Sequence, residues 1–295
     1  MATRTRRRAV VVAVDGSRGA RTALAVTLAF PWPAGTRVTS VTAWRNAATE
    51  GWPPDALAAV ERGSRRVADR ARRALARRWP DAEAVLVDRA PLPAILAAAR
   101  RARADAIVVG WGGRGAVPRL LLGDVARDVV REAPCAVLVA KRRVRDARRI
   151  VVGIDGSANA RRAAAFVAGL GRPRGGRVTL VRVVEPLGLP SLGLMPGAVR
   201  ATLARELEAL GAERQARARE DLARARAVLR RAGFTVRSLA PQGAPLAELV
   251  AAVRAARASL LVLGARGTGG VARLLLGSTA EGALARCPVP VLIVR

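Results

Sequence analysis

Short, almost wholly apolar runs recur along the chain: VVVAV at 10–14, RVTSV at 37–41, AVLV at 84–87, AIVVG at 106–110 and AVLVA at 136–140. Their length and β-branched content predict strands, and the lack of polar alternation predicts strands covered on both faces. Between them lie Ala/Arg/Leu-rich stretches in which apolar residues return with helical period. Strands that alternate with helices in this way build a parallel sheet with helices on each side. The longest helical stretch, 199–232, stops at Gly233, which suits the C′ position of a helix.

The pattern occurs twice. AVVVAVDGS at 9–17 is answered by IVVGIDGS at 150–157, and RVTSVTAW at 37–44 by RVTLVRVV at 177–184. DAIVVGWGG at 105–113 is answered by ASLLVLGARG at 258–267, and VPRLLLGDVA at 117–126 by VARLLLGSTA at 271–280. Asp155 stands 140 residues after Asp15, whereas Gly264 stands 154 after Gly110, so copy two carries 14 more residues. They fall at 186–199 (PLGLPSLGLMPGAV), whose Gly and Pro content predicts a loop or lid ahead of the long helix. Tandem duplication is the simplest account, with a boundary in the charged stretch 141–149. Domains at 1–146 and 147–295 follow, each a doubly wound five-stranded unit with its site at the carboxyl ends of the strands.

Composition narrows the chemistry. The 295 residues include no histidine and no tyrosine, which excludes Ser-His-Asp and Cys-His catalysis and histidine metal centres; no metal site is expected. Cys135 and Cys287 each open an apolar run, and two thiols in a long chain make no disulfide framework, so both are expected as small buried hydrophobes. The net charge of +30 suggests nucleic acid. However, each half carries +15, every basic residue but Lys141 is arginine, and aromatic residues make up only 3%. That pattern fits an arginine-rich surface better than a stacking platform for bases, and specific nucleic-acid binding is not expected. No apolar run nears the ~20 residues that span a bilayer, and MATRTRRR is followed by too short an apolar region for a secretion signal. A cytoplasmic protein is expected.

The chemistry gathers after the fourth strand of copy two. LLVLG ends at Gly264, Gly267 follows, and Gly277-Ser278-Thr279 open a helix. Glycines at such a turn let a phosphate approach the backbone, and the first N–H groups of a helix have no internal partner. Ser278 and Thr279 add hydroxyls, Ser278 suits an N-cap, and Arg266 suits phosphate neutralisation. Asp155, at the end of the first strand, stands where a carboxylate accepts from ribose hydroxyls; it also suits a local cap in the DGS turn.

IDGS, the Gly-x-x-Gly-nine-Gly-Ser loop and the CPVPVLIV ending together resemble the universal stress protein family across nearly the whole chain. The resemblance implies strand order 3-2-1-4-5 in each copy, an adenine nucleotide alpha hydrolase-like fold. It further implies ATP, with or without Mg2+, on the glycine loop. Asp155 would lie against the nucleoside, and backbone near Val183 would read adenine. Asp155, Gly264, Gly267, Gly277 and Ser278 all match, as does the glycine of QGAP at 242–245. The resemblance also implies antiparallel pairing of the last strands, which joins the copies and, between chains, makes a homodimer. The family has a second branch that keeps the fold without the loop and binds no ATP.

Copy one keeps Asp15, Gly110, Gly113 and Gly123, but has Asp124 in place of Ser278 and Arg89 in place of Gly243. A carboxylate at that helix start would satisfy the free N–H groups and repel phosphate, at a cost of about 1–4 kcal/mol, or about 10- to 1,000-fold in affinity. Copy one is therefore expected to bind ATP weakly or not at all, unless a metal bridges Asp124 to phosphate.

Other nucleotide motifs fail. GWGGRG at 110–115 matches Gly-x-Gly-x-x-Gly but follows the fourth strand, not the first. No Gly-Lys-Ser/Thr exists for a P-loop, and nothing beside the loop offers a general base for rapid hydrolysis. The expectation is an ATP-holding regulatory module and not a dedicated enzyme. An AMP or cyclic AMP binder stays open, as does a structural, partner-binding protein with a vestigial site.

Overall fold

The computed structural model describes residues 7–45, 49–112, 123–171, 175–187, 197–267 and 276–295, with side chains of 197–201 left aside. Copy one runs β1 (Ala9–Ala13), α1 (Arg18–Ala29), β2 (Arg37–Ala43), α2 (Pro54–Ala76), β3 (Glu83–Val87), α3 (Pro91–Arg101), β4 (Ala106–Gly110), α4 (Asp124–Glu132) and β5 (Ala136–Ala140). Copy two repeats it as β6 (Arg149–Gly153), α5 (Ala158–Ala168), β7 (Arg177–Val181), α6 (Gly197–Arg231), β8 (Thr235–Leu239), α7 (Pro245–Ala255), β9 (Leu260–Gly264), α8 (Ser278–Arg286) and β10 (Val291–Val294).

The ten strands of the described residues form one sheet in the order β3-β2-β1-β4-β5-β10-β9-β6-β7-β8. Each half is thus ordered 3-2-1-4-5 and parallel throughout. The halves meet where β5 and β10 pair antiparallel, with Leu138 opposite Leu292. Side chains alternate across the sheet even in these apolar strands: Val10 and Val12 join one core, Val11 the other. The first core is closed by α1, α2, α5 and α6; the second by α3, α4, α7 and α8. The result is two layers of helices around one sheet.

Local signals recur between the copies. Gly16 and Gly156 take φ of +82° and +83° in the two DGS turns, a region that side chains disfavour. Ser17 and Ser157 then cap α1 and α5 by accepting from Ala20 N and Ala160 N, each at 3.1 Å. Gly233, at φ +85°, ends the long helix as its sequence predicts.

The surplus of copy two is not all loop. Residues 188–196 lie outside the described residues, but α6 already begins at Gly197, so the last residues of the surplus are helical. Helix α6 has 35 residues against 23 for α2; much of the added length is extra helix. Among the described residues no helix is long and apolar enough to cross a membrane.

Beyond the sheet, Gly171 N donates to Pro31 O at 2.7 Å, and the Arg8 guanidinium lies 4.5 Å over the Phe166 ring while ion-paired to Asp105. Cys287 is buried and Cys135 half-buried. Burial, followed by the Asp105 charge, pushes the Cys135 thiol up to about 12, and burial raises that of Cys287. Both therefore stay protonated and act as packing groups.

Candidate functional site

A cleft of about 330 Å³ opens at the carboxyl ends of β6, β7 and β9. It lies within the range of small-ligand sites. Asp155, Val183, Gly264, Arg266, Gly267, Gly277, Ser278 and Thr279, all singled out from the sequence, line it. The fold brings them together because each follows a strand end or opens a helix at the same edge of the sheet. The two arms of the glycine loop are tied by Gly277 N donating to Ala265 O at 2.9 Å.

Asp155 serves two neighbours. Its Oδ1 accepts from Ser157 N at 2.9 Å, closing the DGS turn. Its Oδ2 faces the loop, 2.6 Å from where a Cβ on Gly267 would stand. Gly264 is constrained by the chain itself, since a Cβ there would lie 2.7 Å from Asn159 Cβ. Gly277 differs. Its φ of −69° suits any residue, and a Cβ would meet Arg266 Cα at an ordinary 3.5 Å. Among the described residues packing does not require glycine at 277, but a ligand lying over the helix end would.

Ser278 does not cap α8. Gly277 occupies the N-cap with no side-chain cap bond, and Ser278 is already the first helical residue. The chain enters the helix one residue earlier than the sequence suggested, because Gly277 itself takes the extended conformation. Ser278 still lines the cleft, in the first turn of α8 where the N–H groups have no helical partner. Ser157 Oγ and Asn159 Nδ2 donate to Arg266 O at 3.2 and 3.3 Å, fixing the loop against the start of α5.

Sequence reasoning missed the opposite wall. Ile154, Leu249 and Leu263 supply an apolar surface, and Arg182 and Glu185 a polar one. Arg182 donates to Val183 O at 3.2 Å and lies 3.6 Å from Asp221 of α6. An arginine just past a strand reads as an ordinary surface charge. Only the later half of α6, packed beside β7, marks it as part of the cleft.

The equivalent region of copy one is built differently. Asp15 Oδ1 again accepts from Ser17 N at 2.9 Å, and Gly123 N donates to Trp111 O at 3.0 Å, as Gly277 does to Ala265. Gly113 lies outside the described residues. Gly19 takes the place of Asn159, and a Cβ on Gly19 would stand 1.8 Å from Gly112 O; the loop's carbonyl fills space that copy two gives to a side chain. Asp124 does not cap its helix: the cap is Gly123, without a side-chain bond. The Asp124 side chain is 89% exposed and pairs with Arg127 at 3.3 Å. The expectation that its carboxylate satisfies the helix's free N–H groups is therefore wrong, because the first helical residue points its side chain outward.

The profile of the universal stress protein family matches residues 6–141 and again 147–295. The chain belongs to the universal stress protein family. This is a stress-response family, and here it is represented twice in one chain. A universal stress protein of Mycobacterium tuberculosis is 31% identical over 218 residues, covering 71% of this chain and 68% of that one. A shorter one from Thermus aquaticus is 36% identical over 139 residues, 45% of this chain and 97% of its own. A universal stress protein structure from Archaeoglobus fulgidus superposes with a TM-score of 0.63 at 20% identity over 97% of this chain and 98% of that one. That likeness concerns the fold.

Proposed function

We propose that this universal stress protein holds ATP in the cleft of copy two and acts as a nucleotide-dependent regulatory module in the cytoplasm, with copy one contributing fold and no ATP site of equal strength. The observation that carries this reading is Gly277. It is a glycine that neither its backbone conformation nor packing among the described residues requires, placed at the start of α8 opposite Gly267 and Asp155.

In this reading the triphosphate brings the negative charge. Backbone N–H groups of Gly277–Thr279 and the hydroxyls of Ser278 and Thr279 donate to it, and Arg266 offsets its charge. Asp155 Oδ2 accepts from ribose hydroxyls, while Ile154, Leu249 and Leu263 enclose the base beside Val183. Mg2+ would bind through the phosphates. With β5 and β10 already paired to each other, a homodimer would use other surfaces of the chain.

Purified protein is denatured, and the released small molecules are identified by mass; stripped protein is then titrated calorimetrically with ATP, AMP and cyclic AMP, with and without Mg2+. One ATP per chain is expected. Protein that releases no nucleotide and gives no heat with ATP would defeat the reading and leave a structural, partner-binding role.

A further inference from the structure

A second groove, of about 470 Å³, lies between α6 and β8 and shares no residue with the cleft. Arg219, Leu222, Arg226 and Arg230 form its helical wall, Ser238 and Ala240 its strand wall. Among the described residues no carboxylate lines it. Two polar atoms on these walls, Arg226 Nε and Ser238 Oγ, are buried without a hydrogen-bond partner among the described residues, a state that native interiors rarely leave unrelieved.

The strand wall is also an open edge. β8 is the outermost strand of the sheet. Thr235 N donates to Gly176 O, while Leu239 O and Pro241 O accept from Arg182 N and Val184 N. The odd-numbered residues thus face β7, and the backbone of Val236, Ser238 and Ala240 turns outward. Gln215 Nε2 reaches Ala240 O at 3.5 Å; among the described residues no strand lies beyond. An outward strand edge is a template for one more strand.

We infer that this groove takes an extended acidic segment of a partner protein, added as an eleventh strand on β8 with its carboxylates against Arg219, Arg226 and Arg230. The spacing suits it. Arg226 and Arg230 are separated by about 6 Å along the helix, close to the ~6.6 Å between alternate residues of a strand, so acidic residues at every second position meet successive guanidinium groups. Guanidinium–carboxylate pairs supply charge-assisted hydrogen bonds, while the edge of β8 supplies main-chain bonds. Among the described residues the lining holds no aromatic ring on which a base would stack, which favours a peptide over a nucleic-acid strand.

The test is fluorescence anisotropy with a labelled decapeptide alternating Glu and Thr at physiological salt, with oligo(dT) and a Lys/Thr decapeptide as comparators. The full chain is expected to bind the acidic peptide and not the basic one. Arg226→Gln with Arg230→Gln should weaken binding about tenfold. So should Ser238→Pro, which removes an outward N–H and leaves the bonds to β7 in place; its circular dichroism and Tm check that the sheet survives. Arg66→Gln with Arg73→Gln, on the exposed face of α2, should bind as the parent does. Equal weakening by the α2 pair, no effect of Ser238→Pro in a folded protein, tighter binding of oligo(dT) to the same arginines, or no peptide binding at all would each overturn the proposal.

Discussion

A glycine is required either where a side chain would strike the protein or where it would strike something the protein holds, and ATP binding in the cleft would make use of both kinds. Gly264 is of the first kind, since a Cβ there would lie 2.7 Å from Asn159 Cβ and 2.9 Å from Ala160 N; at Gly267 a Cβ would displace the Asp155 carboxylate. In the proposed reading Gly277 is of the second. Gly277→Asp should therefore leave Tm unchanged or slightly raised, because an acidic residue favours a helix N-terminus. The same change should lower ATP affinity at least about tenfold, by placing a negative charge where the phosphates sit. Calorimetric titration beside a thermal melt separates the two effects; unchanged affinity in a folded Gly277→Asp protein would move the phosphates away from α8. The glycines were legible in the sequence because their spacing survives as text. Arg182 was not, because what makes it part of the cleft is Asp221, 39 positions away on another element.

Helix ends set the difference between the copies. α4 and α8 begin alike, each with a glycine cap, and differ at the first helical residue, Asp124 against Ser278. From sequence alone the carboxylate looks decisive. Its exposure and its pairing with Arg127 reduce its reach, since solvent screens an outward charge. The Gly112 carbonyl lies where a side chain at Gly19 would be, and in the proposed reading this is the larger difference between the two sites. Asp124→Ser alone, measured in a Gly277→Asp background that silences copy two, should gain less than about tenfold in nucleotide affinity. Adding Gly19→Asn, the residue of copy two, should gain more by forcing the carbonyl out. If Asp124→Ser alone brings copy one to the affinity of copy two, charge and not loop position is the cause. The identities at 19 and 124 were readable; the side chain's outward direction and the loop's inward shift were not, because both depend on dihedrals that residue types do not fix.

Across the whole molecule the copies are joined by more than the β5–β10 ladder. Lys141, just past β5, donates to Cys287 O at 2.7 Å and Ala285 O at 3.3 Å at the end of α8, and its Nζ lies 3.9 Å from the Trp111 ring centroid. Arg295, just past β10, donates in turn to Val130 O and Arg131 O at the end of α4. Each copy thus places one cation on the carbonyl end of the other copy's last helix, where the helix dipole favours it. The strand runs and the offset between repeats predicted both halves of the sheet, yet this reciprocal clasp spans up to 165 residues of sequence and leaves no local pattern. Only one of its arms titrates in an accessible range. Burial pushes Lys141 from 10.5 down to about 8, so between those values the unfolded chain still holds a proton that the folded chain has released. The contribution of Lys141 to stability should accordingly be smallest at and below about pH 8 and rise as pH approaches 10.5. Urea midpoints of the parent chain and of Lys141→Met, taken at pH 7, 8.5 and 10, check this, with the difference between them moving toward the parent as pH rises. Arg295→Met should show no such trend, because its guanidinium stays charged throughout. All five tryptophans lie between residues 32 and 111, so fluorescence reports copy one while far-ultraviolet circular dichroism reports both. A flat or reversed difference for Lys141→Met, seen by both signals, would mean that the ammonium at the seam is held by Trp111 and the helix carbonyls more strongly than burial disfavours it.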